Sequence, residues 1–330
     1  MIALVALTVS CKDEVLPKPP GYLSLKFTEP SYKTSQSSKV PFNFDYNFAA
    51  AQLSNINYKQ DVQQLNFKIS YPKLNKDKYT VALDGTFAPH AMPKLGGGIE
   101  GFNVDLANII GERLGVEMDI VATQWSGILP GLQAGTYDFV VAPTTITEER
   151  AGNMLFTEGY LNTDFQFVVA KNSPDVADMD GFKGKVIAVN KGSAYDRWAR
   201  DLEGDIGWVV ESYGTNTDAV QAVVSGRAFA NVAGNTVSAF AVKKNPNIKL
   251  SYLYSTGKVW GMPFRKDDAE LRGTVEKVIE CMKIDGTIAS LHEKWFGVAP
   301  AAGSAAVTPL PGFGQPGYDG HESNGNTPSC

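Results

Sequence analysis

Cysteine and histidine are scarce in this 330-residue chain, with three of each. Cys11, Cys281 and Cys330 are too scattered for a disulfide framework or a CxxC motif, and His90, His292 and His321 show no ligand spacing. No metal and no other cofactor is therefore expected. Long apolar runs are also missing. The most apolar stretch, Met1 to Ser10, is far shorter than the roughly 20 residues that a membrane-spanning helix needs. A surplus of positive charge is absent as well: the formal net charge is -5 and the pI about 5.4, with no basic stripe, so nucleic acid is a poor partner. What remains is the composition of a folded water-soluble protein, 43% hydrophobic and 20% charged, long enough for two domains plus tails.

Residues 1–10 end in Leu7-Thr8-Val9-Ser10 before Cys11, which has the form of the apolar core and cleavage box of a bacterial lipoprotein signal. Cys11 is then the expected lipidation site, with a frayed apolar terminus as the plainer alternative. The positive segment that normally precedes such a core is missing, which points to a truncated start. Residues 11–75 have a texture of their own, marked by Pro17, Pro19, Pro20, Pro30 and Pro41 and by many aromatics. Short alternations such as Tyr22 to Phe27 and Leu65 to Ile69 suit half-exposed strands. The runs PKPPGYLSLKFTEPSY, PFNFDYNFAA and LNFKISYPKLN resemble the opening of the gliding-motility lipoprotein D family. The abrupt change after Asn75 leaves two readings, a natural two-part protein or a joined reading frame, and its sharpness favours the second.

From Lys76 onward, strand-like and helix-like stretches alternate with short glycine-bearing connections, the pattern of an α/β fold. Tyr79–Leu83, Met118–Thr123 and Tyr137–Ala142 read as strands. Between them, Phe102, Leu106, Ile109, Ile110 and Leu114 share one helical face, and Gly115 is a stop signal. Three successive βα units imply a parallel sheet. A second block contains Val186–Val189, a helix near Ala194–Leu202, Trp208–Val210, a helix over Asp218–Val224 and the buried run Phe229–Ala233. Extended stretches at Phe165–Ala170 and Met262–Arg265 bracket it. Paired crossings of this kind let two lobes hinge over a cleft. The lobes are expected at 76–168 with 258–300, and at 169–257. The tail, 301–330, is rich in Gly and Pro and is expected to be flexible or draped on the surface, with Cys330 a candidate partner for Cys281.

Three constellations could carry chemistry. Asp84-Gly85-Thr86-Phe87 follows the opening strand, where open α/β sheets place ligand contacts, although Asp-Gly is also an ordinary turn signal. Thr145 and Thr147 are natural helix caps, and Arg150 one turn later offers a planar fork for a carboxylate. The plainer alternative is a solvated arginine paired with Glu148 or Glu149. Lys191-Gly192-Ser193 forms a strand-to-helix turn in the second block that could close over an anion from the opposite side.

These stretches, with Gly101-Phe102, Trp125-x-x-Ile128-Leu129-Pro130, Thr145-Ile146-Thr147-Glu148-Glu149-Arg150, Asp285-Gly286-Thr287 and Lys294-Trp295-Phe296-Gly297, resemble family 3 extracellular solute-binding proteins of the polar amino-acid type. The resemblance spans about 220 residues, 76–300. It implies a type II periplasmic-binding fold, two α/β lobes joined by two hinge strands, carrying a Pro-rich N-terminal extension and a Gly/Pro-rich tail. It also implies an extracytoplasmic monomer, periplasmic and either free or lipid-anchored through Cys11, that delivers a small carboxylate or amino acid to an ABC permease. By position, Asp84 and Phe87 would meet the ligand's side-chain end and Trp125 the cleft wall. Thr145 and Arg150 would hold the carboxylate, and Ser193 and Asn235 would approach from the second lobe. One departure stands out: Gly234, with Asn235 next, stands at or beside the place where the family usually has an aspartate for the ligand's ammonium, and Pro143 sits where the family often has a small hydroxyl residue. An ordinary amino-acid ligand is thereby put in doubt. Two rivals remain, a dehydratase-like enzyme with Asp84 as its acid or base, and a surface lipoprotein of a gliding machine.

Overall fold

The computed structural model describes residues 74–310, 312–323 and Cys330. The readings placed on the apolar opening, on Cys11 and on the Pro-rich extension lie outside the described residues. No helix among the described residues is long and apolar enough to cross a membrane.

The first half is built on β1 (Lys78–Leu83), a hairpin of β2 (Met92–Pro93) and β3 (Ile99–Glu100), α1 (Phe102–Leu114), β4 (Glu117–Ala122), α2 (Trp125–Gln133) and β5 (Phe139–Val140). Strands β4, β1 and β5 lie side by side and parallel, as the repeated βα pattern requires. Val81, Ala82 and Leu83 are wholly buried, in keeping with the central place of β1 in a parallel sheet. Helix α1 buries Phe102, Leu106 and Ile110 on one stripe and ends at Gly115, whose left-handed conformation (φ 69°) closes the last turn.

Next come β6 (Thr144–Thr145), α3 (Glu148–Asn153), β7 (Leu155–Phe156) and the long β8 (Leu161–Ala170), which leads into the second half. There lie β9 (Val186–Asn190), α4 (Ala194–Asp201), the single turn α5 (Glu203–Ile206), β10 (Val209–Tyr213), α6 (Asn216–Val224), β11 (Ala230–Gly234) and α7 (Asn235–Lys244). The chain returns along β12 (Ile248–Gly261) to β13 (Pro263–Phe264), α8 (Ala269–Ile284) and α9 (Thr287–Phe296). The second sheet has the order β10-β9-β11-β8-β12-β6, with β9, β10 and β11 parallel and the crossing strands β8 and β12 antiparallel.

The return crossing differs from its expected place. Met262–Arg265 contributes only β13, which pairs with β7 in the first half, and the true return is the 14-residue β12. Its alternation of side chains is interrupted by register shifts between Leu250 and Leu253 and between Tyr254 and Lys258, so no single period runs through it.

The described part of the tail is held down at several points. A disulfide joins Cys281 in α8 to Cys330, 49 residues later. The Ala305 amide donates to Asn162 Oδ1, Arg272 pairs with Glu322 at 3.1 Å, and the Arg272 guanidinium stacks on Phe313. Beneath the strap lies a buried ion pair, Lys283 Nζ to Glu158 Oε1 at 2.8 Å. The Leu310 amide donates to the other Glu158 oxygen, and Lys283 also donates to the carbonyls of Gly159 and Thr308. Glu276 accepts the Glu158 amide with both oxygens. Burial pushes the carboxyls of Glu158 and Glu276 up and the Lys283 ammonium down.

A cation surrounded by buried carboxyls cannot be removed without stranding a charge. Lys283→Met is expected to lower unfolding stability by about 3–5 kcal/mol, measured by urea denaturation, whereas an exposed lysine such as Lys266 changed to Met leaves the midpoint nearly unmoved.

Candidate functional site

The carboxyl end of β1 and the loops after β5 face the turn after β9 across a small cavity that is partly open to solvent. Asp84 and Phe87 line it from the turn after β1 and Trp125 from the start of α2, Pro143, Thr145 and Arg150 from the β6–α3 segment, and Asn190, Ser193 and Tyr195 from the second half. Six of the seven residues expected from sequence therefore meet here. Asn235, at the start of α7, is not among the lining residues, and its Oδ1 is buried without a hydrogen-bond partner.

Arg150 is the centre of the site. Thr147 caps α3 by accepting the Arg150 amide, which fixes the root of the side chain, and the guanidinium is turned inward until only 3% of the residue is exposed. Nη1 donates to the Thr145 carbonyl at 2.9 Å, and the plane lies over the Trp125 ring at 5.3 Å. Nε and Nη2 have no partner among the described residues. The plainer alternative of a solvated surface pair does not hold, because Glu149 pairs with Arg197 of α4 instead. Burial lowers the Arg150 pKa to about 10, with Tyr195 opposing the shift, so the group stays a cation at neutral pH. Of the two threonines expected as caps, only Thr147 caps. Thr145 sits in β6, and its Oγ1 accepts the Trp260 indole N–H at 3.2 Å.

Asp84 is largely committed to its own chain. Oδ1 accepts both the amide and the hydroxyl of Thr86, and Oδ2 accepts the Trp125 amide, which orders the turn and the start of α2. Ser193 caps α4 by accepting the Asp196 amide. Both expected ligand residues thus have a local structural duty as well as a place in the cavity wall.

Sequence reasoning placed Tyr195 at the end of the third constellation, Asn190 to Tyr195, but gave it no role, and it did not find Trp260. Both crowd Gly234: a Cβ built there would meet Trp260 ring carbons at 2.7 Å and Tyr195 Oη at 2.9 Å. The glycine is needed for this close approach. The signal available in sequence was the pair of bulky aromatics, but nothing local says that a side chain in α4 and one in β12 converge on β11.

Contacts also run across the cavity mouth. Trp125 Nε1 donates to the Gly192 carbonyl at 3.0 Å, the Thr217 hydroxyl to the Thr86 carbonyl at 3.3 Å, and Arg197 pairs with Glu149. Wholly buried His90 joins Asn103 through Nδ1 and Thr236 of α7 through Nε2, packed against Phe87, Phe102, Trp260 and Phe296. Burial pulls its pKa down to about 3. A histidine kept neutral in the folded state favours unfolding as pH falls below its unfolded value of about 6.5. The His90 contribution therefore removes about 2 kcal/mol of stability between pH 7 and pH 5. Thermal melts of the wild type and His90→Gln should show a smaller acid loss in the variant; equal losses would rule out His90 as the source.

With that geometry in view, the family model for bacterial extracellular solute-binding proteins, family 3, matches residues 79–298, and the model for the gliding motility lipoprotein GldD matches residues 12–81. The L-cystine-binding protein TcyJ of Escherichia coli is 31% identical over 219 residues, 66% of this chain and 82% of that protein. The probable amino-acid-binding protein YxeM of Bacillus subtilis is 30% identical and shares 62% of this chain and 78% of its own. An ancestral arginine-binding protein, solved with arginine bound, superposes with a TM-score of 0.65 at 33% identity and covers 67% of this chain and 99% of its own. The α/β architecture is thus that of the amino-acid-binding proteins of ABC transport, and the chain belongs to the bacterial extracellular solute-binding proteins of family 3.

Proposed function

We propose that this protein captures a small carboxylate-bearing solute, an amino acid or a related organic acid, between its two halves and presents it to an ABC importer. One observation carries the reading: a buried cation lining a cavity, with two nitrogens, Nε and Nη2, that have no partner among the described residues. Leaving such donors and their charge uncompensated costs several kcal/mol, which an anion held bidentately would restore. Relatives whose printed names record the binding of cystine, histidine and arginine support a carrier role.

Capture works by closure. Trp125 to Gly192, Thr217 to Thr86 and Glu149 to Arg197 are contacts that form only when the halves meet. A ligand touching Arg150 from one side and Ser193 from the other shifts the population toward that state. The disulfide between Cys281 and Cys330 suits an oxidising, extracytoplasmic compartment. Lipid attachment through Cys11 would hold the protein at the membrane where the permease works.

An enzyme on the same scaffold is the weaker reading, although one structural neighbour at 31% identity is an amino-acid-binding precursor of cyclohexadienyl dehydratase. Asp84 is the one carboxyl among the lining residues, and both of its oxygens are engaged by Thr86 and Trp125. A general acid needs a proton to give, and this carboxylate is held as an acceptor.

The test is Arg150→Met. In the ligand-free protein the variant should melt at the same temperature or higher, since an uncompensated buried charge is gone. Its affinity for the solute should fall about 100-fold or more, by calorimetric titration. Wild-type affinity should be unchanged near neutral pH, where Arg150 is a cation, and any weakening from its lowered pKa should come only at strongly alkaline pH. Undiminished binding by the variant would refute the carboxylate clamp.

A further inference from the structure

We infer that the solute is an organic acid with no ammonium group beside its carboxylate, such as a 2-oxo acid or a simple deaminated acid, rather than an amino acid. The inference rests on the carboxylate reading above and narrows it.

The cavity is unbalanced toward donors. Its unpaired polar atoms include Arg150 Nε and Nη2. The hydroxyl oxygens of Thr145 and Ser193 already accept, from Trp260 and from the Asp196 amide, so each has its proton left to give. All of these suit one anionic group. An α-ammonium lies next to its own carboxylate and brings three N–H bonds, so it needs acceptors, preferably charged, close to Arg150.

The lining residues supply few, and the unpaired Oδ1 of Asn235 is a neutral oxygen on a residue outside the lining. The second half contributes no carboxylate to the lining, and none can be added at Gly234, where even a methyl group would meet the Trp260 ring at 2.7 Å. The Ala142 carbonyl accepts the Thr144 hydroxyl. Asn190 donates its amide to the carbonyls of Tyr213 and Gly214, which leaves its oxygen as a neutral acceptor, adequate for a hydroxyl or a water but not for a buried charge.

Asp84 is the remaining candidate. Three donors from Thr86 and Trp125 already occupy its oxygens, leaving about one lone-pair site of four. It binds the main chain of Trp125, whereas the Arg150 guanidinium lies over the indole ring. One residual lone pair cannot replace the shell of a desolvated ammonium. The body of the acid instead meets Phe87, the Trp125 ring, Pro143 and Ala194, which reward apolar area.

The experiment is calorimetric titration of the full chain with matched series: each L-amino acid, its 2-oxo acid, its deaminated acid and the neutral amide of that acid. The expected result is that one or more amine-free acids bind and that the matched amino acid binds about tenfold or more weakly, the equivalent of an unpaired buried charge-assisted bond. An L-amino acid that binds as tightly as its amine-free partners would overturn this inference. If Arg150→Met then abolished that binding, the carboxylate clamp would still stand. An amide that binds as well as its acid would sink the clamp itself, and no binding from any series would count against both.

Discussion

A guanidinium buried without a counter-ion is the constraint around which this molecule is organised. Arg150 is tied down through the Thr147 cap, the Thr145 carbonyl and the face of Trp125, three contacts that hold its direction without cancelling its charge. Attraction to a π-face and one carbonyl is weaker than pairing with a carboxylate. The protein therefore keeps a site that is electrostatically incomplete, and it has the rigidity to do so because β6 is pinned to β12 and α3 follows at once. Complete pairing inside the chain would have made a more stable protein and a poorer trap for an anion.

The same economy appears in the cavity wall. Trp125 stacks under Arg150, starts α2 under the hold of Asp84, and reaches across with its indole N–H to Gly192. On the proposed function, recognition and closure would be coupled in one side chain, since a ligand on the guanidinium would also touch the Trp125 ring. His90 plays a parallel part behind the cavity, neutral and ringed by aromatics, linking α1 through Asn103 to α7 through Thr236. On the outer side of the first half, Lys283 and the carboxyls of Glu158 and Glu276 form a polar centre capped by the tail. That centre is internally paired, in contrast to Arg150. The difference separates a buried ion that holds the fold together from one that awaits a partner.

Much of the fold was readable because its signals are local. The apolar stripe of α1, the Gly115 stop and the continuous apolar run of β1 each report on a few neighbouring residues. Strand β12 was not readable, since two register shifts break its period, and neither was α7, which begins at Asn235 without a side-chain cap. The tail's composition left its state open between flexible and draped. Its attachment depends on Asn162, Arg272, Lys283 and Cys281, all distant in sequence from the residues they hold.

For the site, the sequence by itself determined which groups are present: a threonine-capped turn carrying Arg150, an Asp-Gly-Thr turn after the first strand, and Gly234 beside the place where the family resemblance implies an aspartate. Turn, cap and strand-end signals lie within a few residues of one another, so they survive without knowledge of the fold. Only the tertiary structure decided what those groups do. It turned Arg150 inward and sent Glu149 to Arg197, spent Asp84 on Thr86 and Trp125, and filled the space beside Gly234 with Trp260 and Tyr195. Burial and partner choice are properties of surfaces brought together from remote parts of the chain, and they set whether a charge is paired or waiting.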